Sequence, residues 1–250
     1  MRLFHTVLLL LMTSCAFAQE LDPDLEPSIA YGNNAAAGGR VAVTDALLYY
    51  EIYGKGEPLL LLHAKGQSIK AFEKQIIVLA DKYKVIAVDT RGQGKSTNTS
   101  TGDLSYNLLA EDMKTLLDSL HIPKTNILGW SDGGNTGMIM AFKYPAYVNK
   151  LITMGANTML LQKPHISLEN LHSIHAPVLV MAGENDIVPD KHTRYIAKEI
   201  PNAKLLIFKG TTHDAPVKVV AEFNLAVMRF LTINNVDVRK MIDFAPEKFN

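Results

Sequence analysis

The sequence predicts an α/β protein: a mostly parallel, doubly wound sheet with helices on both faces. Three observations carry that expectation. From Pro58 onward, short continuous apolar runs, of the kind found in strands buried on both faces, alternate with segments whose apolar residues recur at helical spacing. The residue patterns with chemical content fall directly after such runs, where open parallel sheets keep their sites. The size also fits, since 250 residues with 48% hydrophobic content are ample for one large core.

The chain opens on what reads as an address. Arg2 precedes an apolar run from Leu3 to Met12, and Ala16-Phe17-Ala18 places small residues at −3 and −1 of a cleavage point before Gln19. Residues 1–18 are therefore expected to be a removable signal peptide, with the mature protein exported to the periplasm or secreted. The uncharged stretch from Leu3 to Gln19 is short for crossing a bilayer and no stop-transfer pattern follows it, so no membrane span is expected. A second fate also fits: Met12-Thr13-Ser14-Cys15 resembles a bacterial lipoprotein box, in which Cys15 becomes the lipidated first residue.

Residues 19–40 read as a flexible leader, because Asp22-Pro23, Glu26-Pro27 and the Asn, Ala and Gly of residues 33–39 carry turn chemistry with little to bury. Residues 41–233 are expected to form the folded domain. Two strand-like runs lie in residues 41–53 and a third in residues 58–62. Phe72, Ile76, Ile77, Leu79 and Ala80 then form a helical face, and residues 84–88 a strand. Leu108, Leu109, Met113, Leu116, Leu117 and Leu120 form a second helical face. Residues 125–128 are the next strand, followed by a helix that Pro145 stops and whose residues 138–141 are expected to face the sheet. Further strands are expected over residues 148–154, 177–182 and 204–208, and a long final helix over residues 215–231. Residues 234–250 are left as a C-terminal tail.

Composition removes several function classes. With 25 Lys+Arg against 25 Asp+Glu there is no global field to attract nucleic acid, so no nucleic-acid partner is expected. A single cysteine, Cys15, supports neither a disulfide framework nor a cysteine-based zinc site.

Three strand ends carry chemistry. Gly129-Trp130-Ser131-Asp132-Gly133 follows an apolar strand and opens a helix, the context that makes a G-x-S-x-G match a nucleophile elbow. Its glycines have a steric task, because side chains two residues either side of the serine would collide where strand and helix pack closely. The second end is Gly183-Glu184-Asn185-Asp186, where a carboxylate can orient an imidazole. Asp186 is the favoured acid and Glu184 its competitor on the same turn. The third is Thr211-Thr212-His213-Asp214; His213 alone among the eight histidines follows both Ser131 and Asp186 and lies off the end of a core strand. The order Ser, Asp, His is that of one hydrolase fold and of neither common serine protease fold.

On these residues, together with Leu61-Leu62-His63-Ala64-Lys65-Gly66 and Asp89-Thr90-Arg91-Gly92-Gln93-Gly94-Lys95-Ser96, the chain resembles the α/β-hydrolase fold family, in the branch of carboxylesterases, peroxidase-like hydrolases and C–C bond hydrolases. The resemblance spans about residues 41–231. It implies that the amides of Lys65 and Asp132 form an oxyanion hole around a Ser131, His213, Asp186 triad, with no metal or organic cofactor. Two departures stand out. Ala64 occupies a position where family members usually have glycine. Between the sixth and seventh strands only residues 157–176 remain where relatives commonly insert a cap of several helices, so at most one helix is expected there.

Other patterns read more plainly. Gly94-Lys95-Ser96 ends like a phosphate loop, but Asp89 stands where that motif needs glycine. His165, His172 and His175 are close in sequence yet lack a nearby acid or thiol in zinc spacing. Asn98-Thr99-Ser100 matches a glycosylation acceptor. The function expected is hydrolysis of a small carboxylic ester through an acyl-enzyme. Amide, lactone or C–C hydrolysis by the same triad, and a non-catalytic secreted binding module of the same fold, are the alternatives.

Overall fold

The structure, a computed structural model, describes residues 28–157 and 166–232. Its strands are β1 (Gly38–Val43), β2 (Ala46–Tyr53), β3 (Glu57–Leu62), β4 (Tyr83–Asp89), β5 (Thr125–Trp130), β6 (Val148–Met154), β7 (Val178–Gly183) and β8 (Ala203–Phe208). Its helices are α1 (Glu73–Leu79), α2 (Tyr106–Ser119), α3 (Asp132–Lys143), α4 (Leu168–His172), α5 (Asp190–Glu199), α6 (Ala215–Lys218) and α7 (Val220–Thr232). The strands form one eight-stranded sheet in the order β1-β2-β4-β3-β5-β6-β7-β8. Only β2 runs against its neighbours; every pairing from β4 to β8 is parallel.

Strand alternation sends successive side chains to opposite faces, and both faces are covered. Leu60 and Leu62 point into a core shared with Met113 and Leu116 of α2, Met138–Ala141 of α3 and Ile196 of α5. Leu59 and Leu61 point the other way, against Ile76 and Leu79 of α1 and Phe223, Val227 and Phe230 of α7. The chain leaves β3 for the α1 face and β5 for the α3 face. The crevice between these neighbouring strands, outside their carboxyl ends, is where doubly wound sheets place ligands.

The expected elements form with adjustments that have physical causes. The single long final helix is two: Pro216 sits in the first turn of α6, and Val219, at φ −124° and ψ 57°, leaves helical geometry before α7 starts. α5 was not foreseen, because only Thr193 and Ile196 are buried and polar and charged residues dominate its sequence. The leader boundary at residue 40 falls inside β1. Order reaches further upstream because Glu51, fully buried on β2, accepts from Gly32 N at 2.7 Å, Asn34 N at 2.8 Å, Tyr49 Oη at 2.6 Å and Tyr53 Oη at 2.8 Å. Tyr31 is buried against Tyr53, edge to face at 5.0 Å. The signal-peptide segment, residues 19–27 of the leader and residues 234–250 lie outside the described residues.

Of the connection expected to be a vestigial cap, residues 158–165 lie outside the described part. The rest turns into the body of the protein. α4 opens on a capping box, Ser167 with Asn170, and Ile166, Leu171 and Ile174 are buried in the core that holds α3. No helix among the described residues is long and apolar enough to cross a membrane.

Candidate active site

The turn after β5 is a strained elbow. Ser131 has φ 53° and ψ −113°, a region that costs a non-glycine residue energy and persists only where the surroundings enforce it. They do so by close packing. A Cβ at Gly129 would lie 2.3 Å from the Gly133 carbonyl oxygen, and one at Gly133 would lie 1.9 Å from that of Leu62. Gly133 therefore lets α3 press onto the end of β3, the strand that leads into the loop carrying Lys65. Ser131 N donates to Met154 O at 2.7 Å, tying the elbow to the end of β6.

Asp186 and His213 arrive on turns laced together by backbone. Glu184 N donates to Phe208 O at 2.9 Å and Asn185 N to Thr211 O at 2.8 Å. A Cβ at Gly183 would meet the Thr212 carbonyl oxygen at 2.2 Å. Across this seam His213 Nδ1 and Asp186 Oδ1 lie 2.8 Å apart, with the Asp186 side chain 2% exposed. Burial pushes the Asp186 carboxyl up, but hydrogen bonds from His213 and from the Val188 and Gly183 amides outweigh it and hold its pKa below the ordinary value. The ionised carboxylate can only accept, so Nδ1 carries the hydrogen and Nε2 is left as a base. Glu184, the competitor, is exposed and accepts instead from Gly210 N at 2.9 Å.

Gly155, just past β6, joins the two halves. At φ +60° its backbone approaches so closely that a Cβ would lie 2.5 Å from His213 Cε1 and 3.2 Å from Asp186 Oδ2. Trp130 makes a second junction, donating Nε1–H to the His213 carbonyl at 2.8 Å. Neither residue was singled out by sequence reasoning. The signals were present in a lone tryptophan inside the elbow motif and a glycine immediately after a buried strand.

Of the two expected oxyanion donors, Asp132 belongs to the elbow and Lys65 lies in the loop after β3. Asp132 opens α3, where the first amides have no partner within the helix, and its carboxylate is drawn aside to accept from Tyr106 Oη at 2.8 Å. Burial and that bond raise the Tyr106 pKa. In the loop after β3, Ala64 is buried in the core, and its N–H donates to Gln67 Oε1 at 3.2 Å. His63 is 1% exposed, and its Nε2 accepts from Thr90 N at 3.0 Å, which places its hydrogen on Nδ1, donated to Ala64 O at 2.8 Å. Burial pushes its pKa down. This ring is a buried support of the loop.

The plainer sequence patterns are engaged elsewhere. Ser96 Oγ donates to Asp89 O at 2.6 Å and accepts from Tyr49 N at 2.7 Å, which commits it to the sheet. His172 pairs with Glu199 at 3.0 Å, and His165 lies outside the described residues. Among the described residues no three His, Cys, Asp or Glu side chains converge as a metal would require.

An elbow serine and a carboxylate-held imidazole at the carboxyl ends of a doubly wound sheet present the parts that a nucleophile-elbow hydrolase would use. Comparison with known proteins agrees. A sequence profile of the alpha/beta hydrolase fold matches residues 57–172. The chain is 26% identical to "Serine hydrolase BPHL" of Homo sapiens, over 84% of this chain and 91% of that protein. It is 36% identical to "3-oxoadipate enol-lactonase 2" of Acinetobacter baylyi, over 46% of this chain and 42% of that protein. In structure it is similar to the enol-lactonase from Burkholderia xenovorans, with a TM-score of 0.74 at 18% identity, covering 78% of this chain and all of that one. The chain has the α/β-hydrolase fold, and the relatives it resembles are named hydrolases.

Proposed function

We propose that the protein is an exported serine hydrolase that cleaves small carboxylic esters through an acyl-enzyme on Ser131. The observation that carries this reading is the His213–Asp186 pair, at 2.8 Å, on the strand ends beside an elbow serine at positive φ. Ser131 Oγ attacks the carbonyl carbon as His213 Nε2 takes its proton. Asp186 holds the imidazole in the needed tautomer and stabilises its cation. The amides of Lys65 and Asp132 bind the oxyanion. Collapse expels the alcohol, which takes the proton back from His213, and water then repeats the sequence to release the acid. A lactone is an internal ester, so the lactonase relative favours ring-opening of small lactones as a second reading with the same residues.

The mouth of the site favours apolar groups loosely held. Ile187, next to Asp186, is 77% exposed, and Val217, on the helix after His213, is 48% exposed. With α4 packed into the body of the protein, little among the described residues remains to enclose a ligand.

A fluorophosphonate that labels activated serines tests the chemistry. The expected result is a covalent mass gain on Ser131 and loss of ester turnover by several orders of magnitude in Ser131→Ala. No adduct, or a variant that keeps more than about a tenth of the rate, overturns it in favour of a binding module. Export is tested by the intact mass of the mature protein from a bacterial host: a chain starting at Gln19 supports cleavage of residues 1–18, and a diacylglycerol adduct on Cys15 replaces it with the lipoprotein.

A further inference from the structure

Lys65 enters the proposed mechanism only through its backbone N–H, so the direction of that bond decides whether it serves. The loop of residues 63–67 has no regular secondary structure to fix it. Its orientation depends on what holds the two peptide planes either side of the Lys65 Cα. The plane before Lys65 is held through its carbonyl: Ala64 O accepts from His63 Nδ1 at 2.8 Å and from Gln67 N at 3.1 Å. In a planar trans peptide C=O and N–H point in opposite directions, so these bonds turn the Lys65 N–H away from the His63 ring.

The plane after Lys65 is held through its N–H, and the partner comes from outside the loop. Gly66 N donates to Gln93 Oε1, 27 residues away in the turn after β4. Gln93 is itself pinned: its Nε2 donates to Thr90 Oγ1 at 2.7 Å and its backbone N–H to Thr90 O at 2.9 Å. Thr90 N in turn donates to His63 Nε2 at 3.0 Å. The bonds thus close a ring from His63 through Thr90 and Gln93 to Gly66 and back along the loop, with Lys65 inside it.

Gly66 is where this ring would give way. It sits at φ +76° with nothing within 4 Å of where a Cβ would stand, so neither sterics nor packing restrains it. Glycine visits both signs of φ at little cost, so a freed plane can swing, shift the Lys65 Cα that the two planes share, and so carry the Lys65 N–H off its aim. We infer that Gln93 is a positioning residue for the oxyanion hole: it keeps the Lys65 amide directed at the site by clamping Gly66, and it touches no substrate. The inference rests on the proposed serine mechanism with Lys65 as a donor.

Two variants test it. Gln93→Met keeps the length of the side chain and removes the acceptor; Gln93→Glu keeps an acceptor for Gly66 N, and the Thr90 hydroxyl can turn to donate to it. Both are compared with the wild type in hydrolysis of p-nitrophenyl acetate and in inhibition by a trifluoromethyl ketone, which forms an oxyanion on the serine. Because loss of an oxyanion donor costs roughly a hundredfold or more, Gln93→Met is expected to lose at least about tenfold in kcat with KM within about twofold. Its inhibition constant should rise by the same factor as kcat/KM falls, since analogue and transition state share the contact. Gln93→Glu should stay within about threefold of the wild type in both. A Met variant as fast as the wild type, a Glu variant as slow as the Met variant, or a kcat loss without weaker inhibitor binding overturns the assignment. Phosphonate labelling of wild-type Ser131 reads the underlying mechanism separately: if it succeeds while Gln93→Met is silent, Gln93 alone is misassigned.

Discussion

Asp186 does more than one thing at a single position. It accepts from Val188 N at 2.9 Å as well as facing His213, so Asp186→Asn keeps most of the turn and misaligns one ring. The amide can present N–H₂ to Nδ1 and favour the wrong tautomer. Turnover of an ester at neutral pH should fall by at least about a hundredfold. Glu184→Gln should leave it within about twofold, because Glu184 serves Gly210 and not the imidazole. The reverse ranking in a steady-state assay would make Glu184 the acid. The depressed pKa of Asp186 also has a sign in stability. The unfolded chain binds that proton at higher pH than the folded one, so its contribution is fully present above about pH 4 and is lost as pH falls through the lower, folded value. In denaturant titrations below about pH 4, Asp186→Asn should therefore lose less stability per pH unit than the wild type, by up to about 1.4 kcal/mol. Equal slopes would mean that the carboxyl is not held down. Gly155→Ala places a methyl carbon against His213 and Asp186, and should cut kcat while most of the protein stays folded.

Elements differ in how plainly the chain announces them. β3 and α2 were legible because their burial is one-sided or total, and hydrophobic pattern is what a sequence displays. α5 was not, since a surface helix that buries only Thr193 and Ile196 owes its form to local hydrogen bonds and to the strands on either side. The early entry into order was hidden for a related reason: it depends on Glu51, a residue that composition reads as surface charge. Glu51→Gln replaces an acceptor of four hydrogen bonds by a group that must turn two N–H toward existing donors. Urea unfolding should show a loss of about 2–4 kcal/mol, with turnover per folded molecule unchanged because β2 lies away from the site. A stability within error of the wild type would show that residues 31–34 dock by packing alone.

At the scale of the whole molecule the candidate site is assembled from β3, β5, β6, β7 and β8, segments distant in sequence that the sheet brings to one edge. Sequence reasoning named Ser131, Asp186 and His213 because turn chemistry after a buried strand is local. It named neither Trp130 nor Gly155, because their parts are set by distances between turns that no single segment encodes. Sparse enclosure makes a further expectation. A methylene fully buried on binding contributes about 0.8 kcal/mol, near a fourfold gain, so an open mouth should show a much shallower rise in kcat/KM across acetyl, butyryl and hexanoyl esters. A slope near the full value would show that residues outside the described structure close over the acyl chain.

Trp130 is the only tryptophan in the chain, is 3% exposed, and has its ring 6.4 Å from that of His213. All indole emission of this protein therefore originates beside the imidazole that the proposed mechanism protonates. An imidazolium quenches a neighbouring indole where the neutral ring does so far less. Fluorescence of the unlabelled protein thus becomes an optical gauge of the charge on His213, readable by stopped flow during acylation with any ester, coloured or not.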